Sequence, residues 1–157
     1  MKAVIRRATE SDAKAISLLS SDVQETHASA VPWWYKPAGP DTFPPDVVGL
    51  LLVEPSNLVF IAEVESSPAG YAYAEIIDRP ETSFNYAYQM VYVHHISVRP
   101  KYRRQGVGRA LLDAVQRAAD RVDIQTISLD VWIFNGAARA FFSNNGFTAH
   151  SERLWKR

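Results

Sequence analysis

The chain of 157 residues contains no cysteine. That absence excludes disulfide frameworks, cysteine nucleophiles and thiolate metal sites. Histidine is scarce as well, and four histidines leave little material for a metal site, so we predict no bound metal. The sequence also lacks the apolar core of a signal peptide and any apolar run long enough to span a membrane. We therefore expect a soluble protein of the cytoplasm.

Neither positive nor negative charge dominates the sequence, because 17 Lys and Arg balance 17 Asp and Glu. Such a balance creates no overall field that would attract nucleic acid or a membrane surface, and we expect neither as a partner. The basic residues are nevertheless clustered, since five of them fall within eleven positions that hold no acid: Arg99, Lys101, Arg103, Arg104 and Arg109. A local basic cluster in a neutral chain favours a small anionic ligand over a long polyanion.

The length and composition fit one globular domain covering residues 1–157. With 47% apolar and 11% aromatic residues, the chain lies outside the range of disordered proteins. Periodicity and turn residues predict, in chain order, a strand over 2–7, a helix from 10 to about 25, a short helix over 47–53, strands over 58–64, 71–77 and 88–98, a helix over 107–121, a strand over 126–131, a helix over 137–145 and a strand over 147–154. This order indicates an α/β arrangement around a mixed sheet.

The strongest motif lies where a predicted strand ends at Val98 and a helix starts at Val107. Between them stand the basic loop and Gly106, and Gly108 follows in the first turn of the helix. The first N–H groups of a helix have no intrahelical partner and lie at the positive end of the helix dipole. Because glycine keeps side chains away from those amides, the segment predicts a binding site for a phosphate group.

Two other interpretations of this segment stay open. One is an ordinary turn between a strand and a helix, with solvated arginines. The other is a Rossmann-type nucleotide site, because Asp130 follows Gly108 at about the distance of the acidic residue in that motif. Against the Rossmann interpretation, Leu111 occupies the third glycine position, seven residues separate Val98 from Gly106, and one βαβ unit alone is visible.

The same residues resemble the GNAT superfamily of N-acetyltransferases. In that family a strand leads into Arg/Gln-x-x-Gly-x-Gly/Ala at a helix start, and residues 103–108 are Arg-Arg-Gln-Gly-Val-Gly. The segments 129–132 (Leu-Asp-Val-Trp), 135–142 (Asn-Gly-Ala-Ala-Arg-Ala-Phe-Phe) and 145–147 (Asn-Gly-Phe) are similar to the next strand and second motif of the family. Residues 5–12 are similar to its opening strand and helix. The resemblance covers essentially the whole chain.

This resemblance implies an α/β (α+β) fold with a mixed, mostly antiparallel sheet of about six to seven strands, about four flanking helices and splayed central strands. Acetyl-CoA would lie in the slot between the splayed strands. Its pyrophosphate would meet the loop amides, and its pantetheine arm would pair with the edge of a strand. The implied cofactor-binding residues are Ile96, Ser97, Val98, Arg103, Arg104, Gln105, Gly106, Val107, Gly108, Arg109, Asn135, Ala138 and Phe142. For Asn135, an ordinary helix N-cap is a compatible second role.

Acetyl transfer to an amine requires a base at neutral pH, because free amines are mostly protonated there. His94 is the candidate catalytic residue, since family members that act on arylalkylamines carry histidine at the matching position. Glu75 and Asp78 are the fallback bases. The alternative for His94 is a hydrogen-bonded, half-buried core residue.

Simple alternation along the strand predicts where the two adjacent histidines face. It places His94 on one face with Ile96 and Val98, and His95 on the other with Ser97. The histidines would then point apart, which excludes a joint metal site. Backbone N–H groups of this strand would stabilise the developing oxyanion.

The loop between the first two helices is unusually aromatic and lies where the family's variable first loop borders the acceptor. The implied substrate-contacting residues are His27, Trp33, Trp34, Tyr35 and Glu75. Rings that merely cap the core are the alternative. We expect the partner to be a primary amine, on a small molecule or at a peptide N-terminus, and a homodimer stays open.

Phe142 departs from the family pattern. Many members have a tyrosine there, which protonates the departing thiolate, and phenylalanine has no proton to donate. Water would then serve, or one of Tyr86, Tyr88 and Tyr92. The missing hydroxyl also keeps open a non-catalytic CoA-binding or sensor domain, with a Rossmann-type nucleotide-binding module as the third hypothesis.

Overall fold

The computed structural model describes residues 2–156 as a five-stranded sheet with four α-helices. The elements in chain order are β1 (Val4–Arg7), α1 (Ala13–Ala30), α2 (Pro45–Val53), β2 (Asn57–Val64), β3 (Ser67–Arg79), β4 (Tyr88–Val98), α3 (Val107–Asp120), β5 (Ile127–Ser128) and α4 (Gly136–Asn144). Short 3-10 turns precede α1 at Glu10–Asp12 and α3 at Pro100–Tyr102. Every predicted helix is present, and α1 extends further than expected.

The sheet is mixed and mostly antiparallel, as predicted. Its strands lie in the order β1-β2-β3-β4-β5, and all neighbours are antiparallel except β4 and β5. This topology excludes the Rossmann interpretation, which requires a mostly parallel sheet.

The expected count of six to seven strands is wrong for residues 2–156, which contain five. The predicted strand over 147–154 does not form. Residues 148–154 are all exposed, so they offer no buried face that would hold a strand against the sheet. The predicted strand over 126–131 shortens to Ile127–Ser128, because β5 leaves β4 after that point.

The sheet is covered on both faces. On one face Leu111 and Val115 of α3 are buried in the same cluster as Val91 and Val93 of β4. On the other face a second cluster joins α1 and α2 to the sheet through Ile16, Leu19, Val48, Val59, Ile61 and Tyr71. A strand that is buried on both faces has a nearly continuous run of apolar residues in its sequence, and β2 is such a strand. Within residues 2–156 no helix has both the length and the apolar character needed to cross a membrane.

The 3-10 turn that leads into α1 begins with an acidic cap. The backbone N–H of Thr9 donates to Asp12 at 2.8 Å. Arg6 donates to Asp12 at 2.7 Å and to Glu63 at 2.7 Å, which ties β1, α1 and β2 together. The hydrogen bond from Arg6 lowers the pKa of Asp12.

We predict opposite effects of one substitution at two glycines. A Cβ at Gly70 would lie 2.4 Å from the carbonyl oxygen of Ser97, which is backbone of β4 and has no room to move. Gly70→Ala should therefore lower the free energy of unfolding by about 1–3 kcal/mol or more. The Cβ of Gly49→Ala in α2 would meet no atom within 4 Å. This substitution should therefore raise the free energy of unfolding by up to about 1 kcal/mol. Urea unfolding of both variants measures the difference, and equal stabilities would contradict the close β3–β4 approach.

Candidate active site

The strand β4 is irregular at its two histidines. Tyr73 of β3 pairs with His95, but the next residue, Ala74, pairs with Val93. His94 is therefore an extra residue without a partner on β3. Such a β-bulge shifts the alternation of side chains by one position.

The bulge turns both histidines toward the face covered by α1 and α2. His94 stacks on Tyr73 with ring centroids 4.6 Å apart, and His95 contacts Tyr71 and Phe43 edge-to-face. Tyr71, Tyr73 and Phe43 all belong to the cluster on that face.

The alternation predicted for β4 is consequently wrong for His94. Ile96 and Val98 pack against the cluster on the α3 face, away from His94. His95 and Ser97 do share a face, as predicted, and the Ser97 hydroxyl donates to the carbonyl oxygen of Leu19 in α1. The sequence carries a trace of this bulge, because the apolar residues Val91, Val93, Ile96 and Val98 are spaced by two, three and two positions instead of by two throughout.

His94 and Glu75 form a close pair on this face. The distance from His94 Nε2 to Glu75 Oε2 is 2.7 Å, and each side chain keeps about a third of its surface exposed. Tyr92 contacts the same imidazole edge-to-face at 4.8 Å. Asp78, the other fallback base, pairs with Gln89 further along the β3–β4 hairpin and is exposed. The structure therefore joins two of the three candidate bases and separates the third.

His95 has a different environment from His94. Tyr71 is fully buried, and its hydroxyl lies 2.9 Å from His95 Nδ1. Burial lowers the pKa of His95 to about 4, and the nearby imidazoles of His94 and His27 contribute to that shift. Burial likewise raises the pKa of Tyr71. His95 is therefore a neutral imidazole at ordinary pH.

The strands β4 and β5 separate immediately beside this pair of histidines. They pair in parallel at Val91 with Ile127 and at Tyr92 with Ser128, and no further pairs follow. The edge of β4 beyond Tyr92 is thus left without a strand neighbour within residues 2–156. An unpaired edge offers N–H and C=O groups to an extended ligand. The splayed central strands of the sequence prediction correspond to this gap.

The basic loop continues from the free end of β4. Arg103 Nε donates to the carbonyl oxygen of Val98 at 2.8 Å, and Gln105 Nε2 donates to that of Lys101 at 2.9 Å. These bonds fold two of the predicted phosphate-binding side chains back onto the loop backbone. Arg104 and Arg109 are exposed and carry their charge into solvent.

The two glycines of the loop have different surroundings. Gly106 has φ +82° and serves as N-cap of α3, and a Cβ there would meet no atom within 4 Å. A Cβ at Gly108 would lie 3.2 Å from Phe141 of α4. Gly106 therefore leaves open space before the first amides of α3, which suits a phosphate group. Gly108 mainly permits close packing of α3 against α4, and the Val107 side chain is in the core.

The start of α4 carries its own cap. Asn135 Oδ1 accepts a hydrogen bond from the Ala138 backbone N–H at 3.1 Å, so the N-cap role is confirmed. Phe142 is buried beside Phe141 and Phe147, with ring centroids 5.2 and 5.6 Å away. No hydroxyl therefore replaces the missing tyrosine at this point of α4.

Aromatic rings connect the loop after α1 with the segment after β5. His27 stacks on Tyr35 at 5.0 Å, and the Tyr35 hydroxyl accepts a hydrogen bond from Trp132 Nε1 at 3.0 Å. Trp33 and Trp34 both contact Trp155 of the C-terminal tail edge-to-face. Burial lowers the pKa of His27. His27, in the last turn of α1, and the three aromatic residues of the loop after it thus lie in one aromatic cluster, which consists of His27, Trp33, Trp34, Tyr35, Trp132, Phe134 and Trp155.

Several members of this region were not predicted. Trp132 and Phe134 follow β5, and the carboxyl end of a parallel strand beside a gap is a usual ligand position, which would have indicated them. Tyr73 lies beside His94 through the register of β3 against β4, which the sequence does not provide, whereas Tyr92, already named as a possible acid, is two residues before His94 and contacts it as alternation predicts. Trp155 lies in an irregular tail, and no feature of the sequence indicated its place in the cluster. Within residues 2–156 no three His, Asp or Glu side chains converge as a metal site would require.

Comparison with known proteins agrees with this geometry. Residues 28–147 match the family described as "Acetyltransferase (GNAT) family". The chain belongs to the GNAT acetyltransferase family. Over 79 residues it is 33% identical to the [ribosomal protein bS18]-alanine N-acetyltransferase of Escherichia coli K12, a match that covers 50% of this chain and 47% of that enzyme. The chain spans about half the length of the curated GNAT relatives it matches.

Solved structures share the GNAT fold over the full length. A mutant of the BH1408 protein from Bacillus halodurans superposes with a TM-score of 0.93 at 21% identity, covering 98% of each chain. The aminoglycoside N-acetyltransferase AAC(6')-Iy, in complex with the bisubstrate analogue CoA-S-monomethyl-acetylneamine, superposes with a TM-score of 0.77 at 20% identity, covering 100% of this chain and 98% of that one. At these identities the likeness establishes the fold alone.

We predict that the first turn of α3 governs CoA affinity. Arg109→Glu should weaken CoA binding about 10- to 100-fold, because it replaces a charge-assisted hydrogen-bond donor by a like charge next to the pyrophosphate. An acid in the first helical turn is favourable for the helix, so folding should be unaffected. Calorimetric titration of CoA measures the effect.

The matched control is Arg117→Glu at the other end of α3. Eight residues of helix separate it from Arg109 by about 12 Å, which exceeds a Debye length at physiological salt. Its CoA affinity should stay within about twofold of the parent chain. Equal affinities of both variants would place the pyrophosphate elsewhere.

Proposed function

We propose that this protein transfers the acetyl group of acetyl-CoA to a primary amine, on a small molecule or at a peptide N-terminus. The observation that carries the proposal is the position of the His94–Glu75 pair, at the bulge that lies at the start of the unpaired edge of β4. Membership of the GNAT family supports acetyl-CoA as the donor. A cytoplasmic location is part of the proposal and rests on composition alone.

Acetyl-CoA would supply the acetyl group and a thiol leaving group. The backbone edge at Ile96–Val98 would hold the pantetheine arm, since the side chains of that segment are engaged in the two cores. The open N-terminus of α3, from Gly106 onward, would bind the pyrophosphate together with Arg104 and Arg109. Ala138 and Phe142, on the α4 side of the gap, would form its apolar wall.

His94 is the proposed base, and Glu75 orients it. A carboxylate can only accept a hydrogen bond, so the imidazole donates from Nε2 to Glu75. The neutral ring then carries its lone pair on Nδ1, which makes no other hydrogen bond within residues 2–156. A carboxylate that fixes the tautomer of a catalytic histidine is the arrangement that general-base catalysis uses repeatedly.

The acceptor side favours an amine of low charge. Two carboxylates near the proposed acceptor position accept hydrogen bonds, Glu75 from His94 and Asp130 from the Tyr92 hydroxyl at 2.9 Å, and both keep their negative charge. Much of the surface beside them belongs to the aromatic cluster, which suits apolar groups or one cation at a ring face. That uncharged surface would supply no counter-charge for the further ammonium groups of a polycation. We therefore favour a monoamine or a peptide N-terminus over an aminoglycoside.

Release of free thiol from acetyl-CoA tests the activity. An alanine-initiated peptide, a simple monoamine and neamine would each be offered with acetyl-CoA, and we expect thiol release with one of the first two. Because the chain contains no cysteine, all thiol detected would come from the donor. CoA binding without thiol release from any amine would instead support the CoA-binding or sensor alternative, which phenylalanine at position 142 leaves open.

We predict that His94→Ala lowers kcat about 10²- to 10⁴-fold and removes the acidic limb of the pH–rate profile, because the base is lost. Glu75→Gln should have a smaller effect, since the base remains but its ring is no longer held by a carboxylate. Steady-state rates across pH 5–9 measure both. His150→Ala, in the exposed tail, is the matched control and should behave as the parent chain. An unaltered acidic limb in His94→Ala would assign the proton to another group.

We predict that no side chain is essential for protonating the leaving thiolate. A thiol with a pKa of about 8.5 leaves as a tolerable anion, and water can supply the proton afterwards. Phe142→Tyr should therefore keep or raise the rate. Tyr92→Phe should cost less than about tenfold, because its proton is committed to Asp130, and burial and that bond raise the pKa of Tyr92 to about 12.

Exposed tyrosines provide the control for this prediction. Tyr86→Phe and Tyr88→Phe alter the same functional group near the end of the β3–β4 hairpin and should change the rate by less than about twofold. A loss of roughly a hundredfold in Tyr92→Phe, with the fold intact by circular dichroism, would identify Tyr92 as a relocated acid.

A further inference from the structure

The Tyr71–His95 pair lies beside the proposed base and has no part in the chemistry described above. Tyr71 is fully buried, and its hydroxyl has one hydrogen-bond partner, Nδ1 of His95 at 2.9 Å. The His95 ring is also enclosed by Tyr73 and by Phe43. Both side chains are therefore held in one arrangement.

Hydrogen-bond satisfaction fixes the tautomer of His95. The hydroxyl hydrogen of a buried tyrosine needs an acceptor, and Nδ1 is the one acceptor that Tyr71 contacts. If Nδ1 carried the proton, the hydroxyl hydrogen would be left buried without a partner. Tyr71 therefore donates to Nδ1, and the neutral ring carries its proton on Nε2.

The Nε2 atom of His95 keeps some exposure to solvent and has no hydrogen-bond partner within residues 2–156. Within residues 2–156 every buried side-chain nitrogen and oxygen has a hydrogen-bond partner. The His95 ring makes its hydrogen bond through Nδ1 alone. Nε2 is consequently not among the buried atoms, and it is a donor without a protein partner on the face that carries His94 and Glu75.

We propose that His95 binds the acceptor, donating a hydrogen bond from Nε2 to an oxygen atom adjacent to the acceptor's amino group. This inference rests on the proposed function of the same site. The ligand chemistry is an amine with a neighbouring carbonyl or hydroxyl oxygen, as in the first residue of a peptide or in an amino alcohol. His95 is thus a specificity-determining residue, distinct from the base.

A neutral donor suits this position better than a charged one. The groups that face His95 include the imidazoles of His94 and His27, and the amine arrives as an ammonium ion. A protonated His95 would repel that cation, whereas a neutral imidazole contributes a hydrogen bond without repulsion. Burial, which lowers the pKa of His95 to about 4, keeps the ring in that form.

Three probes with the same carbon skeleton test the proposal and separate its two sources of oxygen. Alaninamide has a carbonyl oxygen beside the amine, 2-amino-1-propanol has a hydroxyl, and isopropylamine has neither. The full chain, labelled with ¹⁵N-histidine and saturated with CoA, would be titrated with each probe and observed by NMR at the His95 ring. His95→Gln assigns the signals.

We expect Nδ1 unprotonated and Nε2 protonated from pH 8 down to pH ~5.5, since burial holds the ring neutral. Alaninamide or 2-amino-1-propanol should shift the Nε2–H signal, and isopropylamine should leave it in place. A protonated Nδ1 would overturn the tautomer. Two results would overturn acceptor binding even if the tautomer is as expected. One is an Nε2–H signal that responds to neither oxygen-bearing probe, and the other is a signal that responds equally to isopropylamine.

Two variants give an independent measurement. His95→Leu removes the donor and should weaken binding of the oxygen-bearing probe about 3- to 10-fold without changing isopropylamine binding. His95→Gln keeps an N–H donor near the same place and should restore most of that loss. Tyr71→Phe should leave the ring present but with mixed tautomers. Equal weakening in His95→Leu and His95→Gln would overturn the hydrogen bond.

Failure of the proposed function remains distinguishable from failure of this inference. The NMR titration reports binding at His95 whether or not acetyl transfer occurs. Absence of thiol release with an intact Nε2–H response to alaninamide would refute the enzyme and keep the binding site. Thiol release without any response of the His95 Nε2–H signal would support the enzyme and refute the binding site.

Discussion

The one-residue bulge in β4 is the constraint on which the rest of the site depends. Without the extra residue at His94, strict alternation would send one imidazole into the apolar cluster beneath α3. With it, Val93 and Ile96 both remain in that cluster while two adjacent histidines reach the opposite face. The sheet keeps its core, and the two histidines lie just after the pairing of β4 with β5 has ended.

The bulge and the separation of β4 from β5 are related features of one strand. β5 follows β4 for two residues, up to Tyr92 and Ser128, and the bulge comes two residues later. A bulge increases local twist and bends the strand that contains it. The bulge and the first unpaired residues of the β5-facing edge therefore lie within the same few residues of β4, which puts the two histidines beside the start of that open edge.

The sequence was sufficient for the elements that depend on local chemistry. Periodic apolar residues and turn residues located all four helices, and Asn135 marked the start of α4. The features that failed depend on contacts between distant segments. The residue that bulges is identified by the register against β3, and the tail near Trp155 is held by rings 23 to 122 residues away in sequence and not by a pattern of its own.

The two histidines show how environment assigns opposite roles to one residue type. A carboxylate accepts from Nε2 of His94, whereas a hydroxyl donates to Nδ1 of His95. The other ring nitrogen therefore has a free lone pair in His94 and carries a hydrogen in His95. One ring can take a proton and the other can give a hydrogen bond, although both lie on the same face one residue apart. Exchange of their partners would exchange these roles, because the partner, and not the imidazole, decides which nitrogen carries the proton.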